Sequence, residues 1–106
     1  MKILQILPEL KVGGVETGTV DLAKYLIRRG HQCVVISHGG AMVKDVEAAG
    51  AKHYKLAVHK KSIFTMFKMV SEVVRIIKKE NIDIIHARSR VPGWIAYLAS
   101  RKAGIP

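Results

Sequence analysis

Short apolar runs alternate with amphipathic stretches along this chain. Lys2-Ile3-Leu4-Gln5-Ile6-Leu7 is apolar at all but two positions and is closed by Pro8, which predicts a first strand. A polar, glycine-bearing loop follows from Glu9 to Gly14. The spacing then predicts a helix from about Val15 to Arg29, stopped by Gly30. His31 to Ser37, with Cys-Val-Val-Ile at its centre, reads as a second, buried strand. Gly39-Gly40 breaks the chain, Met42 to Ala49 reads as a short helix ended by Gly50, and Lys52 to Val58 as a weaker third strand. The clearest helix spans roughly Ser62 to Lys79. At about 100° per residue, Ile63, Met66, Phe67, Val70, Val73, Val74 and Ile77 share one broad arc, opposite Lys68, Glu72, Arg75 and Lys79. Ser62 stands at the N-cap position, and Lys78-Lys79 suits the negative helix end. Ile82 to His86 predicts a fourth strand, and Pro92 to Lys102 a fourth helix.

Near-continuous apolar strands alternating with helices predict an α/β fold: a Rossmann-like, doubly wound parallel sheet of about four strands, covered on both faces. The chain reads as one domain over residues 1–106. Its final Ala103-Gly104-Ile105-Pro106 has the form of a helix stop followed by entry into another strand, so the sequence looks cut inside a larger architecture.

In such sheets ligands bind beyond the carboxyl ends of the strands, where strand order reverses. With the common order 3-2-1-4, the loops Pro8–Gly14 and Ala87–Val91 flank that crevice, and Ser37–Gly40 lies beside them. This places Gly13, Gly14, His86, Arg88, Ser89 and Arg90 together, with His38, Gly39 and Gly40 as further cleft contacts. Gly13-Gly14 precedes a helix, whose free N–H groups suit a phosphate or other anion; the alternative is a tight turn without ligand. Arg88 and Arg90 suit phosphate, carboxylate or sugar hydroxyls, because guanidinium offers a rigid fork of donors. Glu16 lies in the first helical turn, where a carboxylate is favoured electrostatically and a direct ligand contact is secondary.

Other chemistries fit poorly. A G-x-G-x-x-G fingerprint started at Gly13 meets Val15, and Ser37-His38 stands where a ribose-binding acid is needed. No Lys-Ser or Lys-Thr pair follows the glycines, so a P-loop fails. His31, His38, His53, His59 and His86 share no metal-ligand spacing, and no metal site is expected. The single cysteine, Cys33, sits mid-strand as an inert core residue. Trp94 and Tyr97, three apart on the last helix, read as packing residues.

Charge narrows the partner. Eighteen Lys and Arg against eight Asp and Glu leave a formal net charge of +10. That favours an anionic partner: nucleic acid, an acidic membrane surface or a phosphorylated small molecule. Lys60-Lys61 directly precedes Ile63-Phe64 at the start of the long helix, a basic and aromatic segment suited to an anionic bilayer, with Phe64 off the main apolar arc. A solvated lysine face is the alternative. Gln5, Pro8 and Glu9 interrupt the first apolar run too early for a secretory signal, and no run approaches the roughly 20 apolar residues of a membrane span. A cytoplasmic setting, peripheral on the inner face of the membrane, is expected. A non-enzymatic basic α/β module for nucleic acid is the alternative, though no helix-turn-helix, RRM or stacking platform supports it.

Several segments in order resemble family-4, GT-B-fold glycosyltransferases. They are Lys2-Ile3-Leu4-Gln5-Ile6-Leu7-Pro8 followed by Gly13-Gly14-Val15-Glu16, Leu22-Ala23 and Leu26 before Arg29-Gly30-His31, and Val35-Ile36-Ser37 before Gly39-Gly40. Ile82 to Arg90 and Arg101 to Pro106 continue the match. The resemblance implies the N-terminal, acceptor-side half of a GT-B architecture, with the donor-binding C-terminal domain absent from this sequence. It further implies retaining transfer of a hexose from a nucleotide-diphosphate sugar, without a separate cofactor, to a glycan or lipid-linked acceptor of the cell envelope or lipopolysaccharide type. The Gly13-Gly14 loop would approach the donor's phosphates or the acceptor. Many members carry a His-x-His-like element after the fourth strand; here His86 matches the first position and Arg88 occupies the second. Arg88 and Arg90 are therefore assigned to substrate contact, no catalytic residue is assigned, and the isolated chain is expected to be inactive.

Overall fold

The computed structural model describes residues 1–9, 14–58, 62–88 and 90–106, excluding the side chains of Val15, Glu16, Ile63 and Arg90. Its elements are β1 (Lys2–Ile6), α1 (Gly14–Arg28), β2 (Gln32–Ser37), α2 (Val43–Ala48), β3 (Lys52–Lys55), α3 (Ile63–Glu80), β4 (Ile84–Ala87) and α4 (Arg90–Ala103). The strands form one sheet in the order β3-β2-β1-β4, every pair parallel. Leu4 pairs with Val34 on one side and Ile85 on the other. β1 and β2 are central and therefore apolar almost throughout, as strands covered on both faces must be.

Side-chain alternation divides the core in two. Leu4, Ile6, Val34 and Ile36 pack against α3 and α4, through Met69, Val70, Val73, Ile76, Ile77, Ile95 and Ala99. Leu7, Cys33 and Val35 face the other way, against Val20 and Ala23 of α1 and Val46 of α2. Each of the four helices is followed by a left-handed residue, Gly30, Gly50, Asn81 or Gly104. Gly30, at φ 84°, ends α1 with paired bonds from its own N–H to Ile27 C=O and from His31 N–H to Leu26 C=O. Asn81, at φ 56°, does the same job after α3 and turns the chain so that Ile82 N–H reaches Ile77 C=O.

Some expectations need correction. The buried stripe of α3 runs through Met66, Met69, Val70, Val73, Ile76 and Ile77, whereas Phe67 is exposed. Periodicity defines a broad arc, and only the contact with β1 and β2 decides which edge of it is covered. Trp94 and Tyr97 do not pack into the core. Both are exposed and touch each other edge-on, with ring centroids 6.3 Å apart. β3 is shorter than expected: after Lys55 the chain leaves the ladder, Leu56 N–H bonding Ser37 C=O and Val58 turning into the core. Ser62 precedes α3 in extended conformation, but its hydroxyl caps nothing; its carbonyl accepts from Met66 N–H. Arg90 opens α4 rather than belonging to the preceding loop, and Gly14 likewise opens α1. After α4, Pro106 C=O accepts a hydrogen bond from Ile85 N–H of β4 at 3.0 Å.

Candidate functional site

The sheet order reverses at β1, whose neighbours are β2 on one side and β4 on the other. The crevice beyond the carboxyl ends of these strands is where an open α/β sheet places its ligand. Three backbone bonds hold its rim together. Leu7 N–H donates to Ile36 C=O (3.0 Å), His38 N–H to Pro8 C=O (2.8 Å) and Arg88 N–H to Ile6 C=O (2.9 Å). The chain leaving each of the three strands is thereby tied to its neighbour, and residues from 7 to 8, 36 to 38 and 87 to 88 share one edge.

Arg88 is the cation this arrangement singles out. The side chain is half-buried, and its guanidinium lies against α1, with Nη1 3.4 Å from the point where a β-carbon on Gly18 would sit. Arg88 Nε is buried and makes no hydrogen bond among the described residues. A buried donor left without a partner costs roughly 1–3 kcal/mol. The guanidinium also stands about one turn from the start of α1, where the helix macrodipole is itself positive. The helix end favours an anion beside this half-buried guanidinium.

The opposite wall comes from β2 and β3. Ser37 Oγ accepts a hydrogen bond from Gly39 N–H (3.1 Å) and lies 2.6 Å from His53 Nε2. The hydroxyl keeps a second lone pair and its own proton, so the bond to Nε2 forms with either tautomer of a neutral imidazole. Burial pushes the His53 imidazole below its ordinary value, in keeping with that neutral form; nearby Glu47 opposes the shift. The Lys55 side chain runs past Gly39, its Cε 3.8 Å from a notional β-carbon there. The sequence-derived site lacks His53 and Lys55, and holds Ser37 only as the first residue of the flanking Ser37–Gly40 loop. Their proximity depends on the β2–β3 register, in which Ser37 pairs with Lys55 and Val35 with His53.

Of the sequence-predicted residues, Gly14, Arg88, His38, Gly39 and Gly40 stand at this edge. His86 sits one residue before the end of β4 and is exposed. Gly13, Ser89, Lys60 and Lys61 lie outside the described residues, as do the side chains of Glu16 and Arg90. Phe64 is 87% exposed, the most solvent-facing large apolar residue described, and Phe67 lies a turn further along α3 at 62%. Among the described residues no cluster of His, Cys, Asp and Glu has the make-up of a metal site, and no helix is long and apolar enough to cross a membrane. Cys33 is buried and held as a neutral thiol: burial raises its pKa, against a weaker contact from Gln5.

At the far end of the sheet lies a second polar cluster that serves the fold. Glu80 is 8% exposed and bonds Lys2 Nζ (3.2 Å), Lys52 Nζ (2.9 Å) and the Tyr54 hydroxyl. The Tyr54 hydrogen bond, then Lys52, holds its carboxyl down at about 2, against the opposing effect of burial. Lys2 N–H donates to Asp83 Oδ2 (2.7 Å), and Asp83 N–H to Lys2 C=O (2.8 Å), fastening β1 to the turn before β4. A cleft of about 460 Å³ beside Lys2, Gln32, Glu80 and Asp83 is lined by these already paired groups.

A four-stranded parallel sheet with helices on both faces and a crevice at its switch point defines a Rossmann-like α/β domain. The sequence profile of Glycosyltransferase Family 4 matches residues 12–106, and the chain belongs to that family. It is 25% identical to the capsular polysaccharide biosynthesis glycosyltransferase CapH of Staphylococcus aureus, over 99% of this chain and 28% of that protein. It is 29% identical to a component of human phosphatidylinositol N-acetylglucosaminyltransferase, over 74% of this chain and 17% of that protein. A solved glycosyltransferase from Rickettsia africae superposes with a TM-score of 0.86 at 38% identity, over 98% of this chain and 27% of the other. MurG of Acinetobacter baumannii shares the fold, with a TM-score of 0.77 at 19% identity, over 99% of this chain and 33% of the other. The chain thus spans about a third or less of the length of each of these proteins.

Proposed function

We propose that this chain is the N-terminal, acceptor-side domain of a retaining glycosyltransferase. The whole enzyme transfers a hexose from a nucleotide-diphosphate sugar to a lipid-linked or cell-envelope acceptor, with a C-terminal domain holding the donor. The observation that carries this reading is the Arg88 guanidinium, lodged at the switch-point crevice beside the N-terminal turns of α1, in a chain of this family. There it would hold a phosphate of donor or acceptor while the α1 N–H groups face the same charge. Two relatives support the acceptor class by name, one from capsular polysaccharide biosynthesis and one a phosphatidylinositol glycosyltransferase.

The test is a backbone NMR titration of the 106-residue chain with UDP and GDP, together with a transfer assay using the corresponding hexoses. Shifts confined to Gly14–Gly18, Ser37–Gly40 and Ala87–Arg88 are expected, with no sugar transferred. Shifts centred on Lys2, Glu80 and Asp83 would place the anion at the wrong end of the sheet. Transfer by this chain alone would show that no second domain is needed.

The lipid-facing part of the proposal rests on Phe64 and Phe67, exposed together at the start of a helix preceded in sequence by Lys60-Lys61. Side chains of this kind insert at a bilayer surface while lysines meet anionic headgroups. Exchanging both phenylalanines for serine is expected to lower partition onto phosphatidylglycerol-containing vesicles by about tenfold. The melting temperature should stay within a few degrees, because neither ring is in the core. Equal binding of the original chain to neutral and anionic vesicles at low salt would remove the membrane from the proposal.

A further inference from the structure

Gly18 lies inside α1, four residues from its first residue, where no turn or cap calls for a glycine. Its φ is not positive, so the backbone conformation is open to any L-residue. Glycine is also the costliest residue short of proline in a helix interior, because it orders the most backbone freedom and covers no surface. Local structure therefore favours a side chain here, and how large that side chain can be depends on what lies over the position. Among the described residues, a β-carbon built at this position meets one neighbour within 4 Å beyond the adjoining helix backbone, Arg88 Nη1 at 3.4 Å.

We infer that Gly18 is a positioning residue for Arg88: its bare helix surface is the seat on which the guanidinium lies, and that seat sets where the cation meets an anionic ligand. The inference rests on the reading of Arg88 as a phosphate contact. The guanidinium is constrained from two directions. Its backbone N–H is fixed to Ile6 C=O, and the head reaches across to α1 with Nε buried. A methyl at position 18 would stand at ordinary van der Waals distance from Nη1, so alanine keeps the seat. A leucine extends past that distance and claims the volume of the guanidinium itself, which must then swing outward. Such a swing exposes Nε and moves the cation away from the α1 N-terminus.

The experiment compares G18A, G18L, R88Q and the double variant G18L/R88Q in the 106-residue chain. Inorganic pyrophosphate serves as the anion, and the Arg88 Nε–Hε resonance reports the side chain's environment. In G18A the resonance should keep its position and protection, the melting temperature should rise by a few degrees, and pyrophosphate affinity should stay within about twofold. In G18L the Nε–Hε signal should shift and exchange rapidly with water, and affinity should fall about tenfold. The effect of G18L on affinity should vanish in the R88Q background, because it acts through a side chain no longer present. If G18L leaves the Arg88 resonance where it was, or weakens binding equally with and without Arg88, the inference is overturned. If R88Q binds pyrophosphate as the original chain does, the phosphate reading fails instead, and the Nε–Hε comparison still decides whether Gly18 places Arg88. A G18L chain that does not fold leaves G18A and a serine at the same position to carry the resonance test. Loss of the protected Nε–Hε signal in both would refute a seat that tolerates one methyl-sized group.

Discussion

Exchanging Glu80 for glutamine is expected to lower the stability of the chain at pH 7 by roughly 2–3 kcal/mol, below the 3–5 kcal/mol of a fully buried pair because Lys52 remains largely in solvent. For a domain of this size the corresponding drop in melting temperature is roughly 10–20 °C. The amide preserves the shape of the side chain and removes the charge that three donors from β1 and β3 share. Lys2 and Lys52 are then left facing one another without a counter-ion. The same cluster makes stability depend on acid. The carboxyl is held at about 2 in the fold against 4.5 as the ordinary value. Because the folded value is the lower one, its contribution is fully present above about pH 4.5 and is lost as pH falls toward 2. Urea unfolding of the original chain and E80Q at pH 7 and again near pH 2.5 checks this. The difference between the two should be large at neutral pH and shrink in acid. A difference that persists unchanged would mean that the glutamine acts by packing alone.

Under the proposed function, exchanging Arg88 for glutamine is expected to raise the KM of the whole enzyme for one substrate about ten- to a hundredfold, the loss of the proposed charge-assisted contact to phosphate. The affected substrate identifies which phosphate Arg88 holds: a rise confined to the nucleotide sugar assigns it to the donor, and one confined to a phosphate-bearing acceptor assigns it there. Lysine at the same position should restore only part of the loss. It supplies the charge without the planar fork and cannot lie flat against Gly18. Unchanged KM values for both substrates in R88Q, with the enzyme folded, would take Arg88 out of the site.

Much of the fold is legible in the residues because each local signal agrees with the next. Pro8 and Ser37 lie at the ends of apolar runs, Gly30 sits where a helix must turn left-handed, and Ile82 opens the run that becomes β4. The crevice is legible for a related reason: once the sheet is parallel, loops at one end of the strands must converge. Glu80 is legible in part. It falls three, four and seven residues after Ile77, Ile76 and Val73, on the buried stripe of α3, and a carboxylate on that stripe signals a buried ion pair. Its partners carry no such signal, because Lys2 lies 78 residues away and Lys52 and Tyr54 more than 25.

By itself, the sequence determined the succession of strands and helices, the parallel sheet, the family resemblance and the loops that form the crevice. These follow from periodicity and from caps and turns whose physics acts within a few residues. Only the tertiary structure decided that Phe67, Trp94 and Tyr97 face outward, that Ser37 bonds His53, that Glu80 gathers Lys2, Lys52 and Tyr54, and that Arg88 lies on Gly18. Each of these depends on which edge of an arc meets the sheet, or on the register between strands. Register is set by the summed burial of whole faces, a quantity that no short stretch of chain contains.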